Sequence, residues 1–296
     1  MKKLNTPISK HTLTALLFTI VSLAVNAQKL PQIQEVSVRA PDNIKIDGKL
    51  NEWPSPNLQA NNSADRIRYV MSNDDNYLYL AAIGTGQRTG RKILNGGFIL
   101  TISHYTDKKA RTKATDNVVV TFPMALDANT ASGIMGTLTL LGNYVDDTVA
   151  NRKQIDSVVL IANKKASTAL KEIRITGVKG LDTVISVYNE YGIKGAMQFK
   201  VRLPVIEIAI PLKYLGLSIN DPVKFSYNIR LNAEPEPDPS AMKVSNVYIP
   251  APIITPNPSS VAAVPNTQAP DPPNPDMAYT QNNTDFWGEY ILAKKP

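Results

Sequence analysis

The feature that most constrains the fold of this 296-residue chain is a series of short runs in which apolar and polar residues alternate. The clearest run is Val223–Leu231, where every second residue from Phe225 onward is apolar and the residues between them are polar. Alternation with a period of two puts the apolar residues on one face of a β-strand. Turn residues separate the runs, and no long helical periodicity follows the N-terminal segment. The pattern predicts an all-β fold, an antiparallel β-sandwich of immunoglobulin- or jelly-roll-like type with long loops.

Two of these runs form a predicted hairpin around residues 72–76, a turn rich in Asp and Asn. Such side chains hydrogen-bond to the neighbouring backbone and favour turns. We expect Gly84–Arg91 to be a loop, Asp107–Lys113 a basic turn and Asp146–Ile155 a short helix. The predicted strands are Arg66–Met71, Tyr77–Ile83, Gly97–Ser103, Asn117–Phe122, Lys171–Val178, Thr183–Tyr188, Pro204–Ile210 and Val223–Leu231.

Residues 1–27 have the pattern of a secretory signal peptide. Lys2, Lys3 and Lys10 precede an apolar stretch, Thr12–Val25, and a Val-Asn-Ala sequence then predicts cleavage after Ala27. A membrane anchor is the alternative, but the apolar stretch is short for crossing a bilayer. The sequence therefore predicts an exported protein, periplasmic or extracellular, without a membrane span.

Composition argues against two further classes of protein. The chain has no cysteine, so disulfide bonds do not stabilise it and a hydrophobic core must do so. Without residues 1–27, 29 Lys and Arg stand against 25 Asp and Glu, which gives a net charge of +4. These charges form no basic cluster interleaved with aromatic residues, so nucleic acid is not an expected partner.

The composition changes sharply after residue 232. Residues 233–283 hold 12 of the 22 prolines of the chain and few charged residues. A segment with few backbone donors and little apolar mass does not form a core of its own. We therefore expect one β-sandwich domain over residues 28–296. Its core is at 40–232, its closing strand is at 284–294, and a Pro-rich, low-complexity excursion lies at 233–283.

Two segments with similar features lie near the ends of this domain. Ile44–Trp53 begins with apolar alternation, continues with the turn residues Asp47 and Gly48, and ends in one of the two tryptophans. Trp287 lies in the second segment, near the C-terminus. We expect these segments to be the first and last strands of the sandwich. Asp47, Gly48, Trp53 and Trp287 are predicted to be structural, with the tryptophans capping the core. A sugar platform is the alternative for the two rings.

Four segments stand in the order found in a known group of proteins, namely Ile46–Trp53, Arg68–Leu80, Ile206–Leu212 and Phe286–Leu292. Together they resemble the family-nine carbohydrate-binding modules and the wider DOMON-like group of β-sandwiches. The chain also resembles exported proteins of Bacteroidota that share this fold. The resemblance covers most of Ile44–Ala293 and implies a non-catalytic exported binding module with carbohydrate as the ligand class.

The resemblance leaves two alternatives for the function. Family-nine modules hold a sugar between two aromatic side chains, and this chain has Arg91–Asn95 where one of them is expected. One alternative is therefore a structural or interaction protein of the cell envelope without a sugar ligand. The other is a haem-binding redox module, which the DOMON-like group includes, with Met71 and His104 or a lysine as ligands. Methionine on a strand is ordinarily a packing residue, so no cofactor is expected.

Arg68, Asn228 and Arg230 are the candidate ligand-binding residues, because each is expected on the polar face of its strand. If these strands share a sheet, as in the resembling modules, the three side chains line one concave face. Guanidinium and amide groups suit hydrogen bonds to sugar hydroxyls or to a carboxylate. The alternative is an ordinary solvated surface, on which Arg and Asn are common.

The sequence predicts no catalytic residue and no metal site. His104 is the only histidine after residue 27, and no nucleophile-elbow motif accompanies it. Asp74 and Asp75 are better explained by a tight turn than by calcium binding, because their spacing fits no calcium loop. The sequence therefore predicts that the protein is not an enzyme.

Overall fold

The computed structural model describes residues 29–53, 58–86, 88–142, 149–236 and 275–295. The predicted signal peptide and most of the Pro-rich excursion lie outside these residues. Within the described part of the chain, no helix combines the length and the apolar character needed to cross a membrane.

The described chain forms twelve strands, five α-helices and one 3₁₀ helix. The strands are β1 (Val38–Arg39), β2 (Ala60–Asn62), β3 (Ile67–Asn73), β4 (Tyr77–Gly84), β5 (Phe98–Ser103), β6 (Val118–Thr121), β7 (Glu172–Thr176), β8 (Val184–Ser186), β9 (Lys194–Lys200), β10 (Leu203–Pro211), β11 (Phe225–Leu231) and β12 (Thr284–Tyr290). The helices are α1 (Thr89–Gly96), α2 (Lys108–Lys113), α3 (Ala128–Thr139), α4 (Val149–Ala169), the 3₁₀ helix Leu212–Leu215 and α5 (Pro275–Gln281).

The strands form two six-stranded sheets. The first sheet has the order β1-β3-β4-β10-β9, with β2 also paired to β3, and the second has the order β12-β11-β5-β6-β7-β8. All pairs are antiparallel except β1 with β3. The sheets face each other across one large core, where Tyr69 of β3 and Tyr227 of β11 approach to 2.9 Å between their hydroxyl oxygens. This architecture is consistent with a β-sandwich.

The strands follow the predicted alternation closely. Phe225, Tyr227, Ile229 and Leu231 are all fully buried in the core, as the pattern of this run predicts. The predicted hairpin is also present, because β3 and β4 pair antiparallel around the turn at residues 74–76. The sequence did not predict β9, which is rich in small and polar residues.

The helices depart from the sequence prediction. The predicted loop at Gly84–Arg91 contains the start of α1, and the predicted basic turn is helix α2. The predicted short helix is α4, which spans 21 residues. Its innermost residues are Ala162 and Ala166, which are small, so the helical pattern in the sequence is weak. The expectation that the domain lacks a long helix is therefore wrong.

Ile44–Trp53 is not the first strand of the sandwich. The segment has no strand structure, and it packs across the outer face of the first sheet. Trp53 is only 2% exposed and lies in a second hydrophobic cluster with Val70, Tyr79 and Val205. Trp53 is thus a buried packing residue, but it lies on the outer face of the first sheet and does not cap the core between the two sheets as predicted.

Glu207 of β10 holds this segment on the sheet. Its carboxylate is fully buried and accepts three hydrogen bonds. The backbone N–H groups of Asp47 and Gly48 donate to Oε2 at 3.0 and 2.8 Å, and the indole N–H of Trp53 donates to Oε1 at 2.9 Å. Gly48 has a φ of +80°, and a Cβ there would lie 2.8 Å from the backbone nitrogen of Gln198. Glycine is therefore required at position 48, where the segment approaches the backbone of β9.

Burial gives Glu207 a pH-dependent effect on stability. Burial raises the pKa of Glu207 from 4.5 to about 7, although the three hydrogen-bond donors oppose the rise. The folded protein thus binds this proton more tightly than the unfolded chain does. The stability that comes from this tighter proton binding by Glu207 is complete below pH 4.5. It is lost as the pH rises through about 7.

We therefore expect the wild-type Tm to fall more steeply than that of Glu207→Gln between pH 5 and pH 8, because glutamine does not titrate. Differential scanning fluorimetry of both proteins across this range measures the difference. Both proteins keep the buried Asp65, so its titration cancels in the comparison. Parallel Tm curves would show that Glu207 does not titrate in this interval.

The C-terminal end of the Pro-rich excursion belongs to the fold, which corrects its predicted end at residue 283. Helix α5 spans Pro275–Gln281, and its Tyr279 is only 7% exposed. The Tyr279 hydroxyl donates to the carbonyl oxygen of Asp65 at 2.9 Å. The cationic groups of Arg66 and Lys92 both lie 4.2 Å from the centre of the Tyr279 ring.

Lys92 and Asp65 are two buried ionisable residues near this helix, and their charges interact. Both residues are fully buried, and Lys92 donates to the carbonyl oxygen of Asn282 and to the Thr284 hydroxyl. Burial lowers the pKa of Lys92 to about 8, which the charge of Asp65 opposes. Burial raises the pKa of Asp65 to about 6. The hydrogen bonds of Lys92 attach the residues that follow α5 to the sandwich.

The start of the excursion lies beside this attachment. The backbone N–H of Glu234 donates to the carbonyl oxygen of Thr280 at 2.8 Å, and that of Ala233 donates to Oδ1 of Asn283 at 2.8 Å. Strands β11 and β12 are antiparallel neighbours, with Leu231 opposite Thr284. The excursion is therefore an elaborated hairpin connection between these two strands.

Candidate functional site

The predicted site residues do not form one face. Arg68 lies on β3 of the first sheet, whereas Asn228 and Arg230 lie on β11 of the second. Arg68 and Arg230 are exposed. The expectation that the three strands share a sheet is therefore wrong, and the common polar face does not exist.

The Asn228 side chain is also hydrogen-bonded within its own sheet. It is only 5% exposed, and its amide donates to Asp285 at 3.0 Å and to the carbonyl oxygen of Phe286 at 2.8 Å. Neither amide hydrogen remains for a ligand. The sequence placed Asn228 on the correct face of β11 but did not reveal these neighbours on β12.

Trp287 lies on the outer face of the second sheet, opposite Asn228 in the ladder. It is partly exposed, and the guanidinium of Arg111 lies 4.5 Å from the centre of its ring. The predicted core-capping position is therefore wrong for Trp287. Because Arg111 occupies a position over the ring, this tryptophan is not an open sugar platform.

The Asp-rich turn has a local structural role. Oδ1 of Asp74 accepts hydrogen bonds from the backbone N–H groups of Asn76 and Tyr77, both at 2.7 Å, as in an Asx turn. In the described part of the chain, no group of three or more His, Cys, Asp or Glu residues is placed to hold a metal ion. Met71 is fully buried in the main core.

A cavity of about 550 Å³ adjoins this turn and is the candidate functional site. Three segments form it, namely the β3–β4 turn, the loop between β8 and β9, and the residues after β10. Tyr77 and Tyr191 both line it, and we call it the tyrosine pocket. Its polar lining includes Asp75, Asn76, Glu190, Lys213 and Asn220.

Neighbouring residues hold the two tyrosine rings in place. Tyr77 stacks on Tyr79 with ring centres 5.8 Å apart, and Tyr191 meets Tyr214 edge-on at 6.5 Å. Gly192 has a φ of +76°, and a Cβ at this position would lie 2.9 Å from the Tyr77 hydroxyl. Glycine is thus required where the loop approaches Tyr77, and it keeps the two tyrosines in one pocket.

The rim of the tyrosine pocket carries charges of both signs. Asp75 forms an ion pair with Arg39 at 2.8 Å, and Glu190 and Lys213 are exposed. These groups supply oxygen acceptors and an ammonium donor around the aromatic walls. The pocket can therefore combine stacking on a ring with several hydrogen bonds to a polar ligand.

Sequence reasoning missed the loop that supplies Tyr191. Val187–Gly192 contains two tyrosines, an asparagine, a glutamate and a glycine within six residues. This density of aromatic and hydrogen-bonding side chains in a loop was the available signal. The predicted strand Thr183–Tyr188 includes the first two residues of this loop, so the sequence pattern there indicates a strand and not a site.

No match to this chain is found among protein-family models, among curated proteins or among solved structures. The resemblance to family-nine carbohydrate-binding modules therefore stays a prediction from the four sequence segments that carry it.

Proposed function

We propose that this protein is a non-catalytic exported binding module for a saccharide, with the tyrosine pocket as the binding site. The observation that carries the proposal is the placement of Tyr77 and Tyr191 in one cavity whose rim carries carboxylates and amides. A pyranose ring has apolar C–H faces and a rim of hydroxyl groups. Tyrosine rings complement the faces, and the polar groups complement the rim.

The rest of the molecule supports a binding role. The Asp75 carboxylate is paired with Arg39 and serves as a fixed acceptor. The resemblance to family-nine modules and the predicted signal peptide are in keeping with an exported saccharide-binding protein. The sandwich provides the rigid support, and the loops at its end provide the pocket.

The test uses residues 28–296 and an array of oligosaccharides, followed by isothermal titration calorimetry with the oligosaccharide that binds most tightly. We expect Tyr191→Ala to weaken binding about tenfold, because it removes one aromatic wall of the pocket. Tyr188→Ala is the matched control. Tyr188 lies three residues earlier in the same loop, is 80% exposed and does not line the tyrosine pocket.

Two outcomes would contradict the proposal. One is that the protein binds no saccharide on the array. The other is that Tyr191→Ala binds as tightly as the wild-type protein, which would place the saccharide elsewhere.

A further inference from the structure

Among the residues that the structure describes, strand β9 forms one edge of the first sheet and pairs with β10 alone. In an antiparallel pair, the backbone groups of every second residue face the partner strand, and those of the residues between face away. Phe199 lies opposite Pro204, which has no N–H, and its own N–H and C=O face away from β10. Gly195 and Met197 have the same orientation because they precede Phe199 by four and two residues.

Two asparagine side chains form hydrogen bonds with the outward backbone groups at the two ends of this edge. Asn163 of α4 donates to the carbonyl oxygen of Phe199 at 3.1 Å and accepts from its N–H at 2.7 Å. Asn189 donates to the carbonyl oxygen of Ile193 at 2.6 Å and accepts from its N–H at 3.3 Å. Each amide thus bonds to the edge as a residue of a neighbouring strand would.

Between these two ends, the edge is open. Among the described residues, no partner bonds to the outward N–H and C=O groups of Gly195 and Met197. Both residues line a groove of about 500 Å³ between β9, the C-terminal end of α4 and the loop after β8. Unpaired N–H and C=O groups on an edge strand are a template for pairing with another extended chain, so this open part of the edge indicates a place for a peptide ligand.

The side chains around the groove indicate the chemistry of that ligand. Phe122, Leu170 and Val187 give it an apolar side. Lys171 and Lys194 give it positive charge, whereas Asp47, which also lines the groove, is paired with Lys49 at 3.4 Å. These features favour a ligand with apolar groups on one side and acidic groups on the other.

We propose that the groove binds an extended, acidic peptide segment of another protein, which adds a strand to β9. The unpaired groups repeat every second residue, and an extended peptide presents its own N–H and C=O groups with the same spacing, about 6.6 Å. Alternating side chains place apolar residues beside Phe122 and Leu170 and acidic residues beside Lys194. This inference is independent of the saccharide site, because the groove and the tyrosine pocket share no lining residue.

The probe is an acetylated and amidated octapeptide in which valine and glutamate alternate. In an antiparallel pairing, residues opposite Gly195 and Met197 exchange both hydrogen bonds with them and point their side chains to the same face. The valines of the probe take these positions, because their side chains then lie beside Phe122 and Leu170. The valine N–H groups therefore face β9. We expect N-methylation of the valines to weaken binding at least about tenfold, while N-methylation of the glutamates leaves it unchanged. A parallel pairing reverses the two results, and either asymmetry supports the proposal.

A pair of protein variants tests the position of the peptide. Ser167 and Ser157 are exposed serines of α4, and each donates to a backbone carbonyl within the helix. Only Ser167 lines the groove. We expect Ser167→Trp to fill the groove and weaken peptide binding at least about tenfold, and Ser157→Trp to bind as the wild-type protein does.

Several outcomes would overturn the proposal. These are no binding of the octapeptide at millimolar concentration, equal effects of the two N-methylated series, or full binding by Ser167→Trp. Light scattering adds a further test, because a wild-type dimer that Ser167→Trp converts to a monomer would assign the groove to a second copy of the chain. Tyr191→Ala is expected to leave peptide binding unchanged, so failure of this inference is distinct from failure of the saccharide proposal.

Discussion

Glu207→Ala is expected to lower the free energy of unfolding by about 3 kcal/mol. The substitution leaves the N–H groups of Asp47 and Gly48 and the indole N–H of Trp53 without their acceptor in a buried site. Each buried donor that loses its partner costs about 1–3 kcal/mol, and relaxation around the smaller side chain recovers part of the sum. Urea denaturation followed by tryptophan fluorescence measures the change, because Trp53 is one of two tryptophans.

Two further variants make this test specific. Glu207→Gln keeps one carbonyl acceptor and is expected to cost less than Glu207→Ala. Lys49→Ala alters the same segment at an exposed side chain and is expected to change the free energy of unfolding by less than about 0.5 kcal/mol. A loss below about 1 kcal/mol for Glu207→Ala would mean that Glu207 does not hold the segment.

The opening segment shows what local sequence patterns can and cannot predict. Asp47, Gly48 and Trp53 were recognised as a structural motif, but the segment was predicted to be a strand. Its actual conformation depends on Glu207, which lies 159 residues from Gly48 in the chain. Alternation around Ile44 and Ile46 indicates one buried face, and a loop packed on a sheet satisfies that pattern as well as a strand does.

Tyr279→Ala is expected to lower the free energy of unfolding by about 3 kcal/mol, as for other large aromatic residues removed from a buried site. It removes a ring in contact with Arg66 and Lys92 and the hydrogen bond to the backbone of Asp65. The loss also leaves the buried Lys92 without its aromatic contact. Thermal and urea denaturation measure the change.

Met277→Ala is the matched control for this prediction. Met277 lies on the same helix, two residues before Tyr279, and is 50% exposed. Its replacement is expected to cost less than about 0.5 kcal/mol. Equal effects of the two substitutions would show that α5 contributes to stability without a specific contact from Tyr279.

The strands of the core were predictable, whereas the helices and the sites were not. Alternation with a period of two identified β3, β4, β10 and β11 because one face of each contacts the core. Helix α4 buries alanines, which carry little apolar signal. The tyrosine pocket and the β9 groove depend on residues that distant elements bring together, such as Tyr77 with Tyr191 and Asn163 with Phe199. Neither local pattern nor composition reports such distances.

The hydrogen bonds at the base of the β11–β12 hairpin make the connection between these strands suitable for the insertion of another sequence. Ala233 and Glu234 are bonded to Asn283 and Thr280, so the chain leaves and rejoins the fold through adjacent positions. The entropic cost of closing a loop rises only slowly with its length. We therefore expect the sandwich to tolerate a longer or shorter connection here, including an inserted domain, without separation of the two strands.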